Sequence, residues 1–376
     1  MSAARNLERL VDSCPPLVFG ILGGGRIAND FVQTLKLVPS LAVAAVATRS
    51  LDTANSFATK HHIPTHYGSY DELLADPSVQ IIYVANVHIF RLEIAKKCLN
   101  ANKHILLEKP FACSHAEAQE IVDLARAKQL FCAEGMWTRY FPAVVKVREI
   151  INSKLLGSVV SVDSDFHFNS ADSEIYPTSP LYSKKLAGGA CMYVAPYPVA
   201  AALMCFPNRP VKKIAATGLV DEQTGVDMQG SVSLKFQGTG FADEGKLDVA
   251  AMGGTATCSF GMLGESVEET RITLTGGRMV IHSPAHCPTR VTVREKNPGR
   301  GEKGSEETFE FELPPQSDEI YQAGGYYYPN STGLLYEAIA ISKYISEGKL
   351  ESDDYTLNET LTCMRILDEA RKQFDE

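Results

Sequence analysis

The sequence predicts an α/β protein that begins with a doubly wound parallel sheet. Two patterns support this prediction: short apolar runs alternate with helical segments in the first part of the chain, and a glycine-rich turn follows the first run. The length of 376 residues is a third observation, because it exceeds one ordinary hydrophobic core and favours two domains.

The predicted strands of the first half are apolar runs separated by helical segments. They are Leu17–Leu22, Leu41–Ala47, 81–85, 104–107 and 130–133. Residues 69–72 and 114–117 both fit the S-x-x-E capping box that begins a helix, and 116–128 has apolar residues at helical spacing. Such a sheet binds its ligand at the carboxyl ends of its strands, so the residues after each run are the candidates for chemistry.

The turn after the first strand has the spacing of a dinucleotide-binding motif. It reads Gly23-x-Gly25-x-x-Ala28, and Arg26 and Ile27 fill the last two variable positions. The first glycine makes the turn, the second lets the backbone approach a pyrophosphate, and the small third residue lets helix pack on strand. An ordinary tight turn has the same composition, so the surrounding sequence is needed to distinguish a dinucleotide-binding turn from an ordinary one.

The residues after the second strand indicate which dinucleotide binds. An NAD-specific site usually has an acidic residue here, which binds both ribose hydroxyls. The sequence instead has Thr48, Arg49 and Ser50, with no acidic residue before Asp52. A cation with two hydroxyls suits the 2′-phosphate of NADP, and we therefore predict NADP. The alternative is that Arg49 is only a solvated loop cation.

Polar residues also follow the third and fourth strands. Asn86 and His88 come after the third strand, and Glu108 and Lys109 come after the fourth. A buried lysine usually has a function, because removing its charged ammonium group from water is costly. The alternative is that Lys109 extends its ammonium group from the strand end into solvent.

Three motifs together resemble the glucose–fructose oxidoreductase, inositol dehydrogenase and related dehydrogenase superfamily. They are the glycine motif, Glu108-Lys109-Pro110, and a Gly-Gly-Ala stretch from Gly188 that leads to Tyr197. Segment 134–142 and the C-terminal runs 333–337, 348–352 and 367–372 are similar to dimeric dihydrodiol dehydrogenases, which are close to NADP-dependent D-xylose dehydrogenases. The resemblance therefore covers nearly the whole chain.

The resemblance implies a Rossmann domain for NADP over residues 1–135 and an α+β domain over 136–376. The second domain would have a large open, mostly antiparallel sheet with substrate contacts and a homodimer interface. The sequence agrees, because turns rich in Gly, Pro and Asp separate further strand-like segments. These are 159–168, 211–217, 231–236, 247–251, Thr270–Leu274, 279–282, 290–294 and 308–313, with helices expected over about 332–347 and from the capping box at 356–359.

The chemistry of an alcohol dehydrogenase needs a base that takes the hydroxyl proton while hydride leaves the adjacent carbon. The pKa of tyrosine is about 10, and a nearby ammonium group lowers it. The family uses the motif positions of Lys109 and Tyr197 in this way. The resemblance thus implies Tyr197 as the proton acceptor and Lys109 as the cation that binds the substrate hydroxyl. The alternative for Tyr197, within the apolar segment 190–203, is a core aromatic residue.

Two positions depart from the family pattern. Tyr193 stands where many relatives have an aspartate, and Arg91 stands where the dihydrodiol relatives have a second histidine after His88. If 190–203 is one helix, the i, i+4 spacing places Tyr193 beside Tyr197, and we include it as a substrate-binding candidate. Tyr193 cannot supply a carboxylate to orient a sugar hydroxyl, so the substrate stays open.

Further substrate-binding candidates follow the Rossmann half. Trp137, Arg139 and Tyr140 belong to an aromatic cluster that would suit the wall of a sugar or arene-diol pocket, since flat apolar faces stack on both ligands. The alternative is that the cluster is core between the domains. His167, on the first strand of the second domain, is either a substrate residue or an ordinary sheet residue.

The leading hypothesis is an NADP-dependent dehydrogenase that oxidises a small sugar or diol, either D-xylose to xylonolactone or a trans-dihydrodiol to a catechol. The alternatives are a cofactor-sensing regulatory protein on the same scaffold and a redox-assisted glycosidase. The retained pair of Lys109 and Tyr197 favours the dehydrogenase, because a pure sensor would not need it.

The composition excludes other functional classes. A net charge of −9 leaves no basic surplus for nucleic acid. We expect neither a membrane span nor a signal peptide, because no run of 18 apolar residues occurs and residues 1–16 lack an apolar core. Nine dispersed cysteines suggest reduced thiols and a cytoplasmic location. The histidine clusters at 61–66 and 282–287 lack ligand partners in the sequence, so we predict surface histidines and no metal site.

Overall fold

The computed structural model describes residues 3–170, 174–239, 249–299, 301–315, 318–322 and 324–374. The chain divides into two compact units. The first unit consists of Met1–Phe141 and Glu312–Leu361, and the second of Pro142–Phe311 and Thr362–Glu376. This differs from two consecutive domains with a boundary after residue 135, because the segment from Glu312 packs with the first unit.

The N-terminal part of the first unit alternates strands and helices. In chain order these elements are α1 (Ala3–Asp12), β1 (Leu17–Leu22), α2 (Arg26–Leu35), β2 (Leu41–Ala47), α3 (Leu51–His61), β3 (Thr65–Tyr67), α4 (Tyr70–Ala75), β4 (Ile81–Val84), α5 (Arg91–Asn100), β5 (His104–Glu108), α6 (His115–Lys128) and β6 (Cys132–Gly135). Short 3₁₀ turns cover His88–Phe90 and Trp137–Tyr140.

Over the described residues, these strands form one parallel six-stranded sheet in the order β3-β2-β1-β4-β5-β6. The strands β4, β5 and β6 are almost entirely buried, as expected of a parallel sheet covered on both faces. The predicted doubly wound Rossmann sheet is therefore confirmed. The strand order reverses between β1 and β4, and ligands of such sheets bind at the carboxyl ends beside this point.

The second unit contains mostly strands. In chain order its elements are α7 (Pro142–Ser153), β7 (Val159–His167), α8 (Ala190–Tyr193), α9 (Pro196–Cys205), β8 (Val211–Val220), β9 (Asp227–Phe236), α10 (Val249–Met252), β10 (Gly254–Gly261), β11 (Thr270–Leu274), β12 (Gly277–Ile281), β13 (Arg290–Glu295) and β14 (Glu306–Glu310). The chain then forms α11 (Asp318–Gln322), a 3₁₀ turn (Ser331–Gly333), α12 (Leu334–Ser346) and α13 (Leu357–Phe374).

In the described part of the second unit, the strands form an eight-stranded sheet ordered β14-β13-β12-β11-β7-β10-β9-β8. Neighbouring strands are antiparallel except β7 and β10, which confirms the predicted mostly antiparallel sheet. Buried residues alternate along β10 and β11, and α9 packs against both of these strands. One face of this part of the sheet is thus core.

The segment from Glu312 joins the first unit through α12. Its residues Leu334, Leu335 and Ile339 are buried, and the helix packs against α2 and the turn at Trp137–Tyr140. A helix with so much apolar surface has to be covered, and the parallel-sheet unit covers it.

Three local predictions were wrong. Val249–Met252 form a short helix rather than the end of a strand over 247–251, whose first two residues lie outside the described ranges. The strand β10 was missed because its residues, Gly-Thr-Ala-Thr-Cys-Ser-Phe-Gly, are mostly small and lack a clear apolar alternation. The segment 190–203 is two helices rather than one, since Pro196 has no N–H to donate and begins α9.

Two predicted helix starts are confirmed in atomic detail. The Ser114 hydroxyl accepts a hydrogen bond from the backbone N–H of Glu117 at 3.2 Å. Thr356 and Glu359 form the reciprocal capping box, with the two backbone N–H groups donating to the opposite side chains at 3.1 and 3.2 Å. These contacts fix the starts of α6 and α13.

Within the described ranges, no single helix has the length and apolar character needed to cross a membrane. One bent pair of helices, Lys184–Tyr193 and Pro196–Cys205, meets the criteria of length and apolar character only when the two are taken together. The second helix of this pair, α9, is mostly buried in the second unit. Among the same described residues, no group of three or more His, Cys, Asp or Glu side chains could hold a metal ion.

Candidate active site

The glycine turn has the backbone that the motif requires. Gly23 has a φ of +109°, and a Cβ atom there would lie 3.0 Å from the carbonyl oxygen of Ala85. A side chain at this position would therefore be strained and would collide with the neighbouring strand end. A Cβ atom on Gly25 would meet nothing within 4 Å, and α2 begins at the next residue, Arg26. The turn leaves open space in front of the first residues of α2.

A cleft of about 530 Å³ lies beside the glycine turn. Its walls include six of the predicted cofactor residues, namely Gly23, Gly25, Thr48, Arg49, Ser50 and Asn86. The other six predicted cofactor residues lie outside these walls: Ala28, His88 and Glu108 are buried, Ile27 and Lys109 are half-buried, and Arg26 is exposed at the start of α2. The structure therefore brings together the ends of β1, β2 and β4, as the sheet topology requires.

The polar groups of this cleft fit a dinucleotide. Both polar atoms of the Asn86 side chain are buried, and neither has a hydrogen-bond partner among the described residues. The Thr48 hydroxyl donates to the carbonyl of Ser50 at 2.7 Å, and the Ser50 hydroxyl caps α3. Arg49 is exposed between these two ordered residues. The cleft thus offers an unsatisfied amide and an exposed cation on a fixed turn.

A buried arginine organises the segment that carries Lys109. The guanidinium of Arg91 donates hydrogen bonds to the carbonyl oxygens of Glu108 and Pro110. It also reaches the carbonyl of Asn86 at 3.1 Å and that of Lys109 at 3.5 Å. Arg91 is only 3% exposed, and its several N–H groups make this multiple contact possible. It therefore ties the end of β4 to the end of β5.

Lys109 itself is half-buried, and its surroundings change its acidity. Burial lowers the pKa of its ammonium group to about 8, an effect that Glu108 opposes and Arg91 reinforces. Glu108 accepts hydrogen bonds from the Tyr83 hydroxyl at 2.6 Å and from the N–H of Lys109 at 3.1 Å. Burial raises the pKa of Glu108, although the Tyr83 hydrogen bond opposes that shift. Lys109 is consequently a cation that can lose its proton close to neutral pH.

Two further buried carboxyl groups lie in the same unit. Burial raises the pKa of Glu134 to about 7. Glu337, on α12, is 0% exposed, and neither of its carboxyl oxygens has a hydrogen-bond partner among the described residues. Burial, followed by the charges of Glu108 and Glu134, raises the pKa of Glu337 well above its ordinary value. Burial thus favours the neutral form of the Glu337 carboxyl group.

In the second unit, Tyr197 lies in an aromatic cluster at the start of α9. Its ring centre is 5.5 Å from that of Phe166 and 5.3 Å from that of His286. The imidazole of His286 stacks on Phe166 at 4.6 Å and its Nδ1 is hydrogen-bonded to Glu268. Glu268 has a φ of +57°, a conformation that non-glycine residues rarely adopt. Tyr197 thus lies beside His286, which is hydrogen-bonded to Glu268, a residue with a left-handed backbone conformation.

The aromatic cluster after the Rossmann strands is core of the first unit. Trp137, Arg139 and Tyr140 are all buried. Arg139 pairs with Glu359 at 2.7 Å, and the Tyr140 hydroxyl donates to Ser352 at 2.9 Å. These partners favour core over a pocket wall, and the substrate role of the three residues stays a prediction.

The remaining substrate candidates lie in the second unit. His167 ends β7 and is half-buried, with Nε2 3.1 Å from the Ser259 hydroxyl. Burial lowers the pKa of His167. Tyr193 ends α8, and a break before Pro196 separates it from α9, which contains Tyr197.

Comparisons with known proteins identify the family. Residues 17–136 match the family described as an oxidoreductase family with an NAD-binding Rossmann fold, and residues 144–280 match the GFO/IDH/MocA C-terminal domain. The chain belongs to the GFO/IDH/MocA oxidoreductase family. The resemblance to the glucose–fructose oxidoreductase and inositol dehydrogenase superfamily is therefore confirmed.

Relatives of this GFO/IDH/MocA protein span its whole length. It is 34% identical to the trans-1,2-dihydrobenzene-1,2-diol dehydrogenase of Sus scrofa and 32% identical to that of Homo sapiens, each over 95% of this chain and 96% of the relative. Among solved structures, levoglucosan dehydrogenase in complex with NADH and L-sorbose shares the fold at a TM-score of 0.79, with 17% identity over 96% of both chains. A 3-ketoreductase from Actinomadura kijaniata with NADP and TDP-benzene has a TM-score of 0.73, with 18% identity over 96% of this chain and 98% of that one. The protein is thus an NAD(P)-binding oxidoreductase related to dihydrodiol dehydrogenases.

The sequence did not reveal every residue that shapes this site. The histidines at 282 and 286 were expected to be surface residues without partners, but His282 pairs with Glu269, and His286, which is nearly buried, pairs with Glu268. His61, from the other cluster, is buried as well. These pairs depend on how β11 aligns with β7, which places Asp165 against the backbone of Glu268 at 2.8 Å. No local sequence pattern encodes that alignment.

Proposed function

We propose that this protein uses NADP to oxidise a hydroxyl group of a small sugar or diol. The observation that carries the proposal is the environment of Lys109. Burial lowers the pKa of its ammonium group, and Arg91 holds its backbone at the carboxyl end of β5. A lysine that is costly to bury and yet held so firmly has the features of a functional cation. The relatives that are dihydrodiol dehydrogenases support a diol, and D-xylose is the sugar alternative.

The choice of NADP over NAD rests on the turn after β2. Arg49 is exposed in the wall of the cleft, with the ordered residues Thr48 and Ser50 on either side. A guanidinium group binds phosphate through paired hydrogen bonds, and no carboxylate follows β2 before Asp52 to repel a 2′-phosphate.

The proposed chemistry assigns separate tasks to two residues. Lys109 binds the oxygen of the substrate hydroxyl and stabilises negative charge on it. Tyr197 accepts the hydroxyl proton while a carbon–oxygen double bond forms, and the bound nicotinamide supplies the hydride acceptor. Tyr197 needs its phenolate form for this task, and a nearby cation favours that form.

The substitution Lys109→Met tests the assignment. We expect turnover to fall roughly 10²- to 10⁴-fold, because the variant loses the cation at the reacting oxygen. NADPH binding should survive, since Lys109 does not line the cofactor cleft. The exposed Lys97, on α5, provides a matched control, and Lys97→Met should retain turnover. Normal turnover in Lys109→Met would contradict the assignment of Lys109 as the cation that binds the substrate oxygen.

We also propose that the protein is a homodimer, as its resemblance to dimeric dihydrodiol dehydrogenases implies. Sedimentation equilibrium of the purified full-length chain tests this directly. A mass of twice 41.0 kDa is expected, and a monomer across the micromolar range would contradict it.

A further inference from the structure

We propose that residues 324–331 form a second wall of the NADP site and hold the pyrophosphate half of the cofactor. The segment reads Gly-Gly-Tyr-Tyr-Tyr-Pro-Asn-Ser, and we name it the tyrosine strap. It belongs to the first unit, together with the glycine turn. The inference rests on the proposed function, because it assigns further residues to the same cofactor.

A buried carboxylate on α2 anchors the tyrosine strap. The two side-chain oxygens of Asp30 accept hydrogen bonds from the backbone N–H of Tyr327 at 2.9 and 3.0 Å. One of them also accepts from the N–H of Tyr328 at 3.0 Å and from the Ser331 hydroxyl at 2.6 Å. Asp30 is fully buried, and these four hydrogen bonds satisfy its side-chain oxygens. The middle of the strap is therefore fixed to α2.

Other residues of α2 hold the two ends of the strap. The Asn29 amide donates to the carbonyl of Gly325 at 3.1 Å, and the Thr34 hydroxyl donates to the carbonyl of Ser331 at 3.1 Å. The ammonium group of Lys60, on α3, donates to the Asn29 side chain at 2.7 Å. Because α2 begins directly after Gly25, these contacts also fix the strap relative to the glycine turn.

The strap places Tyr327 next to two cations near that turn. Its ring centre is 5.7 Å from the guanidinium carbon of Arg26 and 5.7 Å from the ammonium nitrogen of Lys60. The Lys60 ammonium group bonds to the neutral Asn29 side chain rather than to a carboxylate, and Tyr327 is 54% exposed. Arg26 directly follows Gly25, so this pair of cations beside an exposed ring is complementary to a pyrophosphate at the start of α2.

Tyr328 follows Tyr327 in the strap, and its backbone N–H is bonded to the same carboxyl group of Asp30 at 3.0 Å. Burial raises the pKa of its hydroxyl, Glu108 reinforces the shift, and Arg26 opposes it. The hydroxyl of Tyr328 keeps its proton at neutral pH and remains a hydrogen-bond donor, and the residue is 43% exposed.

The experiment measures the dissociation constant of NADPH by its fluorescence change on binding to the purified full-length protein. The double variant Tyr327→Ala with Tyr328→Ala should bind NADPH roughly 10- to 100-fold more weakly, the loss expected when two ring and hydrogen-bond contacts are removed. Tyr321→Ala is the matched control, because Tyr321 is 79% exposed in the same unit but lies outside the strap. Unchanged thermal midpoints would show that all variants fold.

A second probe locates the effect on the cofactor. Adenosine 2′-monophosphate carries the 2′-phosphate but no pyrophosphate, so its affinity should be unchanged in the double variant. An equal loss of affinity for this probe would overturn the assignment to the pyrophosphate half. Wild-type affinity for NADPH in the double variant would overturn the strap proposal alone. Failure of the wild-type protein to bind either NADPH or NADH would overturn the proposed function, and the strap proposal with it.

Discussion

At the scale of single residues, the cofactor cleft combines open space beside a glycine with a buried polar side chain that has no hydrogen-bond partner within the described ranges. The amide of Asn86 is buried without a hydrogen-bond partner among the described residues, and a side chain on Gly25 would meet only open space. A buried amide that makes no hydrogen bond costs about 1–3 kcal/mol, which a ligand that pairs with it recovers. The cleft is thus arranged for a polar ligand before any ligand binds.

The proposed preference for NADP depends on Arg49. The variant Arg49→Asp should bind NADP roughly 10- to 100-fold more weakly and should prefer NAD. The reason is that a charge-assisted phosphate contact is replaced by repulsion, while the new carboxylate can bind ribose hydroxyls. The ratio of kcat/KM for NADP and NAD is the measurement. An unchanged preference for NADP would show that another residue binds the 2′-phosphate.

The single residues differ in how far the sequence predicts them. The positions of Gly23 and Arg49 in the cleft wall could be predicted, because each residue follows an apolar strand. The contact of Arg139 with Glu359 could not be predicted, since the two residues are more than 200 positions apart in the chain. The contact between His286 and Tyr197 was missed for the same reason. Contacts that depend on tertiary packing leave no mark on the local sequence.

At the scale of elements, Arg91 connects two strand ends that both face the site. It lies at the start of α5 and reaches the carbonyl groups that follow β4 and those around Pro110. These carbonyl groups would otherwise lack donors, and buried backbone carbonyls need them. The helix, through this one side chain, therefore sets the position of Lys109.

The variant Arg91→Lys keeps the charge and removes the planar set of donors. We expect the free energy of unfolding to fall by about 2–4 kcal/mol, because several buried carbonyl groups lose their partners. We expect kcat to fall roughly 10- to 100-fold through misplacement of Lys109, with little change in the NADPH dissociation constant. Denaturant unfolding and steady-state kinetics measure these quantities.

The exposed Arg126, on α6, supplies the control for that substitution. Its contacts with Glu351 and Asn358 are on the surface, so Arg126→Lys should change stability by less than about 1 kcal/mol and leave kcat unaltered. Wild-type kcat in Arg91→Lys would contradict a positioning role for Arg91.

Helices and strands were predictable where one pattern dominated. The bounds of β1 and β2 matched the sequence because each is a short apolar run that ends at turn-forming residues. The split between α8 and α9 was missed although Pro196 marks it, because the apolar run continues across the break. The tyrosine strap could not be foreseen, since its anchor Asp30 lies on a helix close to the other end of the chain.

At the scale of the whole molecule, the chain returns to its first unit at Glu312 and goes back to the second unit at Thr362. Residues from Glu312 to Leu361 bring α12 and the tyrosine strap to the parallel sheet. This return also buries Glu337 without a hydrogen-bond partner in the described structure. Stability against unfolding therefore depends on the protonation of a residue in this returning segment.

The variant Glu337→Met should stabilise the protein by about 1–3 kcal/mol at pH 8 and by less at pH 5. The pKa of Glu337 is raised well above 4.5 in the folded state, so its contribution to stability is complete below pH 4.5 and is lost as pH rises toward the folded pKa. Methionine does not titrate, so the variant does not lose stability in this way as the pH rises. Thermal unfolding at the two pH values measures the difference.

Other buried groups that titrate in this range, such as Glu134, are present in both proteins, so their effects largely cancel in the comparison. The exposed Glu149, on α7, provides the control: Glu149→Met should show no pH-dependent gain. An equal stabilisation by Glu337→Met at pH 5 and pH 8 would contradict a neutral buried acid at this position.

The central claim is that the protein oxidises a small sugar or diol with NADP. The most direct measurement is the rise in absorbance of reduced nicotinamide when the purified protein is mixed with NADP and a panel of trans-dihydrodiols, pentoses and hexoses, D-xylose included. We predict steady formation of NADPH with at least one member and its loss in Lys109→Met. Absence of turnover with every member, despite tight NADPH binding, would contradict the claim and would favour a cofactor-sensing role.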